Sequence, residues 1–315
     1  MQMNGLELSK AYYKEYGEPM LTEQFPELLG FLAVGLCGAG SECFGFDDDA
    51  SRDHDFEPGF CIFLPGEDVV DRRAAFLLER AYAKLPKEFG GASRSLMQPV
   101  GGARRGVLRI GEFFAEKVGS PDGVLTVGQW LALPGQALAE ATNGEIWTDN
   151  YGLITRIREN LRVYPEDIRK KKLAGHLLLA AQAGQYNYRR CLAHGEEAAA
   201  QLAVFEFVRN AIAAVFLLNN RYIPYYKWSF RALRALPRLA LSAELFEYLI
   251  CTGNGEDTAE EKYDVIEGLC ADLIDELIEQ DLTKANCGDL EKHAYLVNDG
   301  VADGEIRNLH ILAAV

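Results

Sequence analysis

Residues 31–37, Phe-Leu-Ala-Val-Gly-Leu-Cys, form an unbroken apolar run that stops at Gly38-Ala39-Gly40-Ser41. A run of that length closed by small residues fits a strand buried on both faces of a sheet. A second run, 60–64, is bounded by Pro58 and Pro65, and a third strand is expected at 106–110 after a loop rich in glycine, serine and proline. Between them Asp68 or Asp71 opens a helix, because Val70, Ala74, Leu77, Leu78, Ala81 and Leu85 recur at helical spacing. Residues 111–118 read as a further helix. Two short helices, 8–16 and 22–30, precede the first strand, with Pro19 and Pro26 near their starts, where a missing N–H costs little.

The pattern changes after Gly119-Ser120-Pro121. From Thr126 onward nearly everything reads as helix: 127–133, 135–141, 153–162, 165–183, a long run 196–219, then 229–236 and more. The expectation is an α+β protein in which a mixed sheet with helices, residues 1–120, precedes a helical bundle, residues 121–315. A chain of 315 residues, 49% hydrophobic and 25% charged, is long enough for both. Its formal net charge of -15 disfavours an extended nucleic-acid surface. Seven cysteines without CxxC pairing read as reduced, mostly core thiols. The charged opening MQMNGLELSKAYYKEYG lacks the apolar segment of a leader, and no stretch offers about 20 uninterrupted apolar residues for a membrane span. A cytoplasmic location without membrane attachment is the expectation.

Chemistry concentrates where the first strand ends. Gly38 to Ser41 offers side-chain-poor backbone that a phosphate can approach, with N–H groups and the Ser41 hydroxyl as donors. Asp53-His54-Asp55 opens the next strand, and residues two apart on a strand face the same side, so Asp53 and Asp55 converge while His54 turns away. Two close carboxylates repel unless they share a proton or a divalent cation. Mg²⁺, bound through carboxylates and phosphate oxygens, suits the neighbouring turn. The plainer alternative is a polar loop in which Asp47, Asp48, Asp49, Asp53 and Asp55 cap or bind calcium. An EF-hand is excluded by the missing closing glutamate.

Gly40-Ser41 followed by Asp53-x-Asp55 resembles the signature of the DNA polymerase beta-like nucleotidyltransferase superfamily. The longer stretch GSECFGFDDDASRDHDFEPGFCIFL is similar to a bacterial branch known as a domain of unknown function, with GSE-x-x-GFD, SRDHD and a following proline. Tyr164-Pro165-Glu166-Asp167 and Arg221-Tyr222-Ile223-Pro224-Tyr225-Tyr226-Lys227-Trp228 resemble that branch's YPxD and RYxPYxKW segments. The resemblance implies a nucleotidyltransferase-like fold in which Gly40 and Ser41 bind the phosphates of an NTP, expected to be ATP. Asp53 and Asp55 would ligate Mg²⁺ or Mn²⁺. A third catalytic carboxylate is usual in the superfamily. Residues 106–110 contain no acid, so the candidate is Glu112, which also reads as a helix-start residue facing the macrodipole.

Arg52 either anchors the loop or touches phosphate. Around Pro224, cations alternate with aromatics, and from them Lys227 is the candidate to reach the triphosphate and Tyr226 to stack on a base or sugar; the plain alternative is an aromatic junction that packs the bundle. Residues 185–190 either line the same cleft or end a helix. The basic run 169–172 reads as solvated helix surface or as a cationic face for polyphosphate. The activity implied is transfer of an NMP to an acceptor, expected to be a small molecule. The competing class is a catalytically inactive nucleotide-binding or toxin–antitoxin-like interaction protein.

Overall fold

The computed structural model describes residues 3–48, 57–94 and 104–315. Two compact units emerge: Met1–Leu125 with Gln136–Arg162, and Thr126–Gly135 with Val163–Val315. The first carries a mixed four-stranded sheet and the second is helical throughout, so the chain is α+β as its sequence pattern indicates.

In the first unit α1 (Gly5–Tyr12) runs through a π-helical turn, Tyr13–Gly17, into α2 (Glu18–Gln24). Asn4 starts it with a reciprocal cap, accepting from the Glu7 N–H while the Glu7 carboxylate accepts from its own N–H. Next come β1 (Ala33–Leu36), the short α3 (Ser41–Phe44), β2 (Cys61–Leu64) and α4 (Arg72–Ala83), which Asp71 caps through the Ala74 N–H. A small hairpin of β3 (Glu88–Phe89) and β4 (Ala92–Ser93) precedes β5 (Gly106–Arg109) and α5 (Ile110–Val118). After α6 (Val127–Ala132), a part of the second unit, α7 (Gly135–Thr142) leads back to β6 (Glu145–Asp149) and α8 (Leu153–Asn160).

The sheet order is β5-β2-β1-β6; β1 is antiparallel to β2 and to β6, and β2 is parallel to β5. Every residue of β1 and β2 is buried, which is why both read as continuous apolar runs. Where helix was expected from Thr126 onward, β6 is instead an edge strand. It is five residues long and half-buried, wedged between two helices, and offers no apolar run, although Asn143-Gly144 before it is a turn signal. Gly35 in β1 lets it approach closely: a Cβ there would stand 2.3 Å from the Glu145 carbonyl oxygen. Over the sheet, Phe60 meets Tyr13 and Tyr82 edge-on, and the Tyr82 hydroxyl donates to the Phe60 carbonyl and accepts from its N–H. Each such buried ring contributes about 2–3 kcal/mol by area alone.

The second unit continues with α9 (Glu166–Ala181), a π-helical turn Gln182–Asn187 and α10 (Tyr188–Ala193). There follow α11 (Glu197–Leu218), α12 (Tyr226–Leu233), α13 (Ser242–Cys251), α14 (Glu256–Glu279), α15 (Leu290–Asp299) and α16 (Gly304–Asn308). α9 lies against α11 and α15. Gly184 lets the π-helical turn in, since a Cβ there would sit 2.5 Å from the Phe207 ring. α11 has the length and apolarity of a membrane span, yet 67% of its most apolar window is buried inside the unit.

The basic run 169–172 is not wet surface. Arg169 donates to Glu166 and to the Leu217 carbonyl, Lys171 to Asn298, Arg307 O and Leu309 O, and Lys172 to Leu131 O, Leu133 O and Ala314 O. All three side chains are buried. Lys262 is buried in the same way, on Gln201, Thr252 O and Asn254. Within residues 185–190, Gln185 bonds Glu267, Gly288 O and the Leu290 N–H and Tyr188 is fully buried, while Tyr186, Asn187, Arg189 and Arg190 are exposed.

His176, on α9, bonds Asn210 through Nδ1 at 2.9 Å; burial, reinforced by Lys172 and Arg209, pushes its imidazole down to about 4. The unfolded chain takes up this proton near pH 6.5 and the folded one only near 4, so stability is present above pH 6.5 and is lost as pH falls through that window. The loss is about 2 kcal/mol after allowance for the ring's partial exposure. Urea titrations of the wild type and His176→Gln between pH 7 and 4 should diverge in slope; parallel curves would remove His176 from the account.

Candidate functional site

β1 delivers the chain to the edge of the sheet at which β2 begins, since Gly35 pairs with Cys61. There Gly38 and Gly40 take φ of 114° and 139°, backbone conformations that favour glycine. The Asn143 side chain grips Gly38 from both sides, its Oδ1 accepting from the Gly38 N–H and its Nδ2 donating to the Gly38 carbonyl, each at 2.8 Å. The Gly144 N–H donates to Cys43 O, and the Arg158 guanidinium bonds the carbonyls of Thr142 and Asn143, which fixes the segment carrying that clamp. Ser41 opens α3 and is half-buried.

Beneath the turn lies a buried ion-pair cluster. Arg105 reaches Glu42 at 3.0 Å and Glu57 at 3.1 Å, with the Arg105 and Glu42 side chains under a tenth exposed. Burial pushes the Glu42 carboxyl up, and Arg105 opposes that shift. A Cβ on Gly40 would come within 2.7 Å of both Glu42 carboxylate oxygens, so besides the strain of φ a side chain there would displace the Glu42 carboxylate from Arg105. Asp47 accepts from the Gly5 N–H at 2.6 Å, which anchors the chain on leaving α3.

A cavity of about 340 Å³ opens beside the turn, lined by Gly38, Ala39, Arg104, Arg109, Glu112 and Lys117 among others. Arg109 donates to the carbonyls of Pro65 and Val70, and Lys117 pairs with Glu140 at 2.9 Å, so both charges are held in place. Glu112 is exposed in the first turn of α5. Cys37, also in the wall, is a poor nucleophile because burial pushes its thiol up to about 11. All seven cysteines are free thiols, and Cys37, Cys43, Cys61 and Cys270 are buried.

Gly38 and Glu112 line the same cavity of the first unit, while Gly40 and Ser41 follow Gly38 in the turn and are not among its lining residues. Arg52, Asp53 and Asp55, together with His54, lie outside the described residues. The described chain flanking them ends at Asp48 and resumes at Glu57, the partner of Arg105. Tyr226 and Lys227 belong to the second unit, exposed at the start of α12; the Tyr226 ring lies 4.3 Å from that of Tyr225, and the Lys227 ammonium 4.6 Å from the Trp228 ring centre. Among the described residues no cluster of three or more His, Cys, Asp or Glu is placed to hold a metal ion. Sequence reasoning missed Asn143, Arg105 and Glu57. None carries a local signal, because each acts on a residue 48 to 105 positions away.

Residues 130–229 match the family model described as Domain of unknown function (DUF4037). No curated protein sequence matches the chain. Among solved structures, the crystal structure of a nucleotidyltransferase-like protein from Exiguobacterium sibiricum 255-15 is similar at 12% identity and a TM-score of 0.39, over 91% of this chain and 81% of that one. A TM-score of that size does not establish a common fold.

Proposed function

We propose that the chain is a nucleotidyltransferase that moves an NMP from an NTP, ATP in the first instance, to a small acceptor. The observation that carries this reading is the Gly38–Ser41 turn. It holds two glycines at positive φ, Gly38 and Gly40, just where β2 begins, and Gly38 lines a cavity whose described wall carries the carboxylates of Glu112 and Glu116 and the cations Arg104, Arg109 and Lys117. In this reading the backbone at Gly40 and the Ser41 hydroxyl orient the phosphates, and Arg109, held by neutral carbonyls, favours an anion in the cavity, whereas Lys117 is paired with Glu140 and Glu116. Arg105 neutralises Glu42, so the turn does not present a bare buried carboxylate to the phosphates.

Asp53 and Asp55 would hold Mg²⁺ or Mn²⁺, which when bound supplies positive charge to phosphoryl oxygens. Glu112 would take the proton of the acceptor hydroxyl as the new oxygen–phosphorus bond forms at the α-phosphate and the bond to pyrophosphate breaks. Tyr226 and Lys227 are assigned to the nucleotide on their cation–aromatic pattern and the family resemblance, and Arg52 to a phosphate contact or the anchoring of its loop. A second reading, nucleotide binding without turnover, draws on the position of Glu112 in a helix and not on β5.

Incubating the full chain with Mg²⁺ and α-labelled NTPs across an acceptor panel should release pyrophosphate and yield a labelled product. Nucleotide binding with no pyrophosphate from any acceptor would favour the second reading. No nucleotide binding at all would end both.

A further inference from the structure

The second unit contains a cavity of about 420 Å³, bounded by α9, α11, the turn after α6 and residues 313–315. That is the size of a small-molecule site. Much of its wall is apolar, with Tyr164 and Phe216 both buried in it. Among the described lining residues every charged side chain is basic, Lys172, Arg209 and Arg221 with His176 beside them, and none is an aspartate or glutamate.

The roles of these cations differ. All three N–H bonds of Lys172 are spent on the carbonyls of Leu131, Leu133 and Ala314, so it offers the cavity a positive field with no remaining donor. Those carbonyls are neutral, and an apolar wall screens a charge poorly, so the field persists inside. Arg221 is exposed at the same cavity, and Arg209, also exposed, pairs with Glu206 outside the lining. His176 faces these cations as a neutral ring at pH 7.

We propose that this cavity binds a small organic anion with an apolar or aromatic body, its head near Arg209 and Arg221 and its body against Tyr164 and Phe216. One anionic head on an apolar body suits this wall better than a triphosphate, which needs donors along its whole length. The inference concerns the second unit alone and holds whether or not the first transfers a nucleotide.

The test uses the full chain and two fluorescent probes of one shape, anionic 8-anilinonaphthalene-1-sulfonate and uncharged N-phenyl-1-naphthylamine. The sulfonate should bind saturably with one site per chain, and the exposed rim substitution Ala132→Trp should abolish that site. Arg209→Gln and Arg221→Gln should each weaken the sulfonate about threefold to fivefold and leave the uncharged dye unchanged. MgATP at millimolar concentration should leave the sulfonate in place. No saturable binding, binding indifferent to Ala132→Trp, equal weakening of both dyes, or displacement by MgATP would each overturn the proposal.

Discussion

Asp53→Asn is expected to remove metal-dependent NMP transfer by at least about a thousandfold while both units stay folded. The substitution keeps the shape of the side chain and deletes one charge. Metal stabilisation of a phosphoryl group is worth several kcal/mol, and each 1.4 kcal/mol is tenfold in rate. In the proposed role of Asp53 as a ligand, its loss therefore acts mainly on turnover. In metal-free buffer the sign for stability is opposite: the proposed site would hold two carboxylates that repel, so the variant should unfold at the wild-type temperature or slightly above it. Pyrophosphate release and thermal unfolding, measured on the same preparations with and without Mg²⁺, check both halves. Unchanged release by the variant would remove the proposed metal site, whereas a large drop in unfolding temperature would show that Asp53 is structural.

The second large effect is on stability. Arg105→Met leaves Glu42 and Glu57 without the cation they share, and truncating one partner of a buried pair costs about 3–5 kcal/mol. Glu57 is more exposed than Glu42, and water relieves part of its penalty, so the lower end of that range is expected. A loss of this size is a large fraction of the 5–15 kcal/mol that holds a typical domain together. Methionine fills the volume, so the loss comes from charge more than from a cavity. Burial already pushes Glu42 up with Arg105 opposing, and without Arg105 it rises further. A carboxyl raised in the folded state costs stability as pH climbs through its folded value, so the penalty of Arg105→Met should shrink toward acid pH. Urea titration of the full chain with hydrogen exchange on first-unit amides reads it directly. A loss below about 1 kcal/mol at pH 7 would mean that solvent, not Arg105, carries the two carboxylates.

How much of this was legible in the sequence follows from how local each cause is. β1 and β2 declared themselves because every side chain is buried, and no polar residue interrupts the run. β6 did not, because its Glu145, Trp147 and Asp149 alternate with Ile146 and Thr148 on a half-buried edge. The glycines of the turn were visible, and their positive φ accounts for them. The clamp on Gly38 was not visible, because Asn143 lies 105 residues away at the end of a helix. Lys171 and Lys172 misled for a related reason: composition assigns a lysine to water, and only the fold reveals which carbonyls surround it.

The edge strand β6 also sets the terms on which this protein can be taken apart. Residues 126–135 belong to the second unit, and β6 follows them, so the backbone passes between the units three times and no single cut separates them. An expression fragment that stopped at residue 125 would retain β1 and β2 but not β6, leaving one flank of β1 with open N–H and C=O groups. Such a flank recruits other chains, and the fragment would be isolated as aggregate.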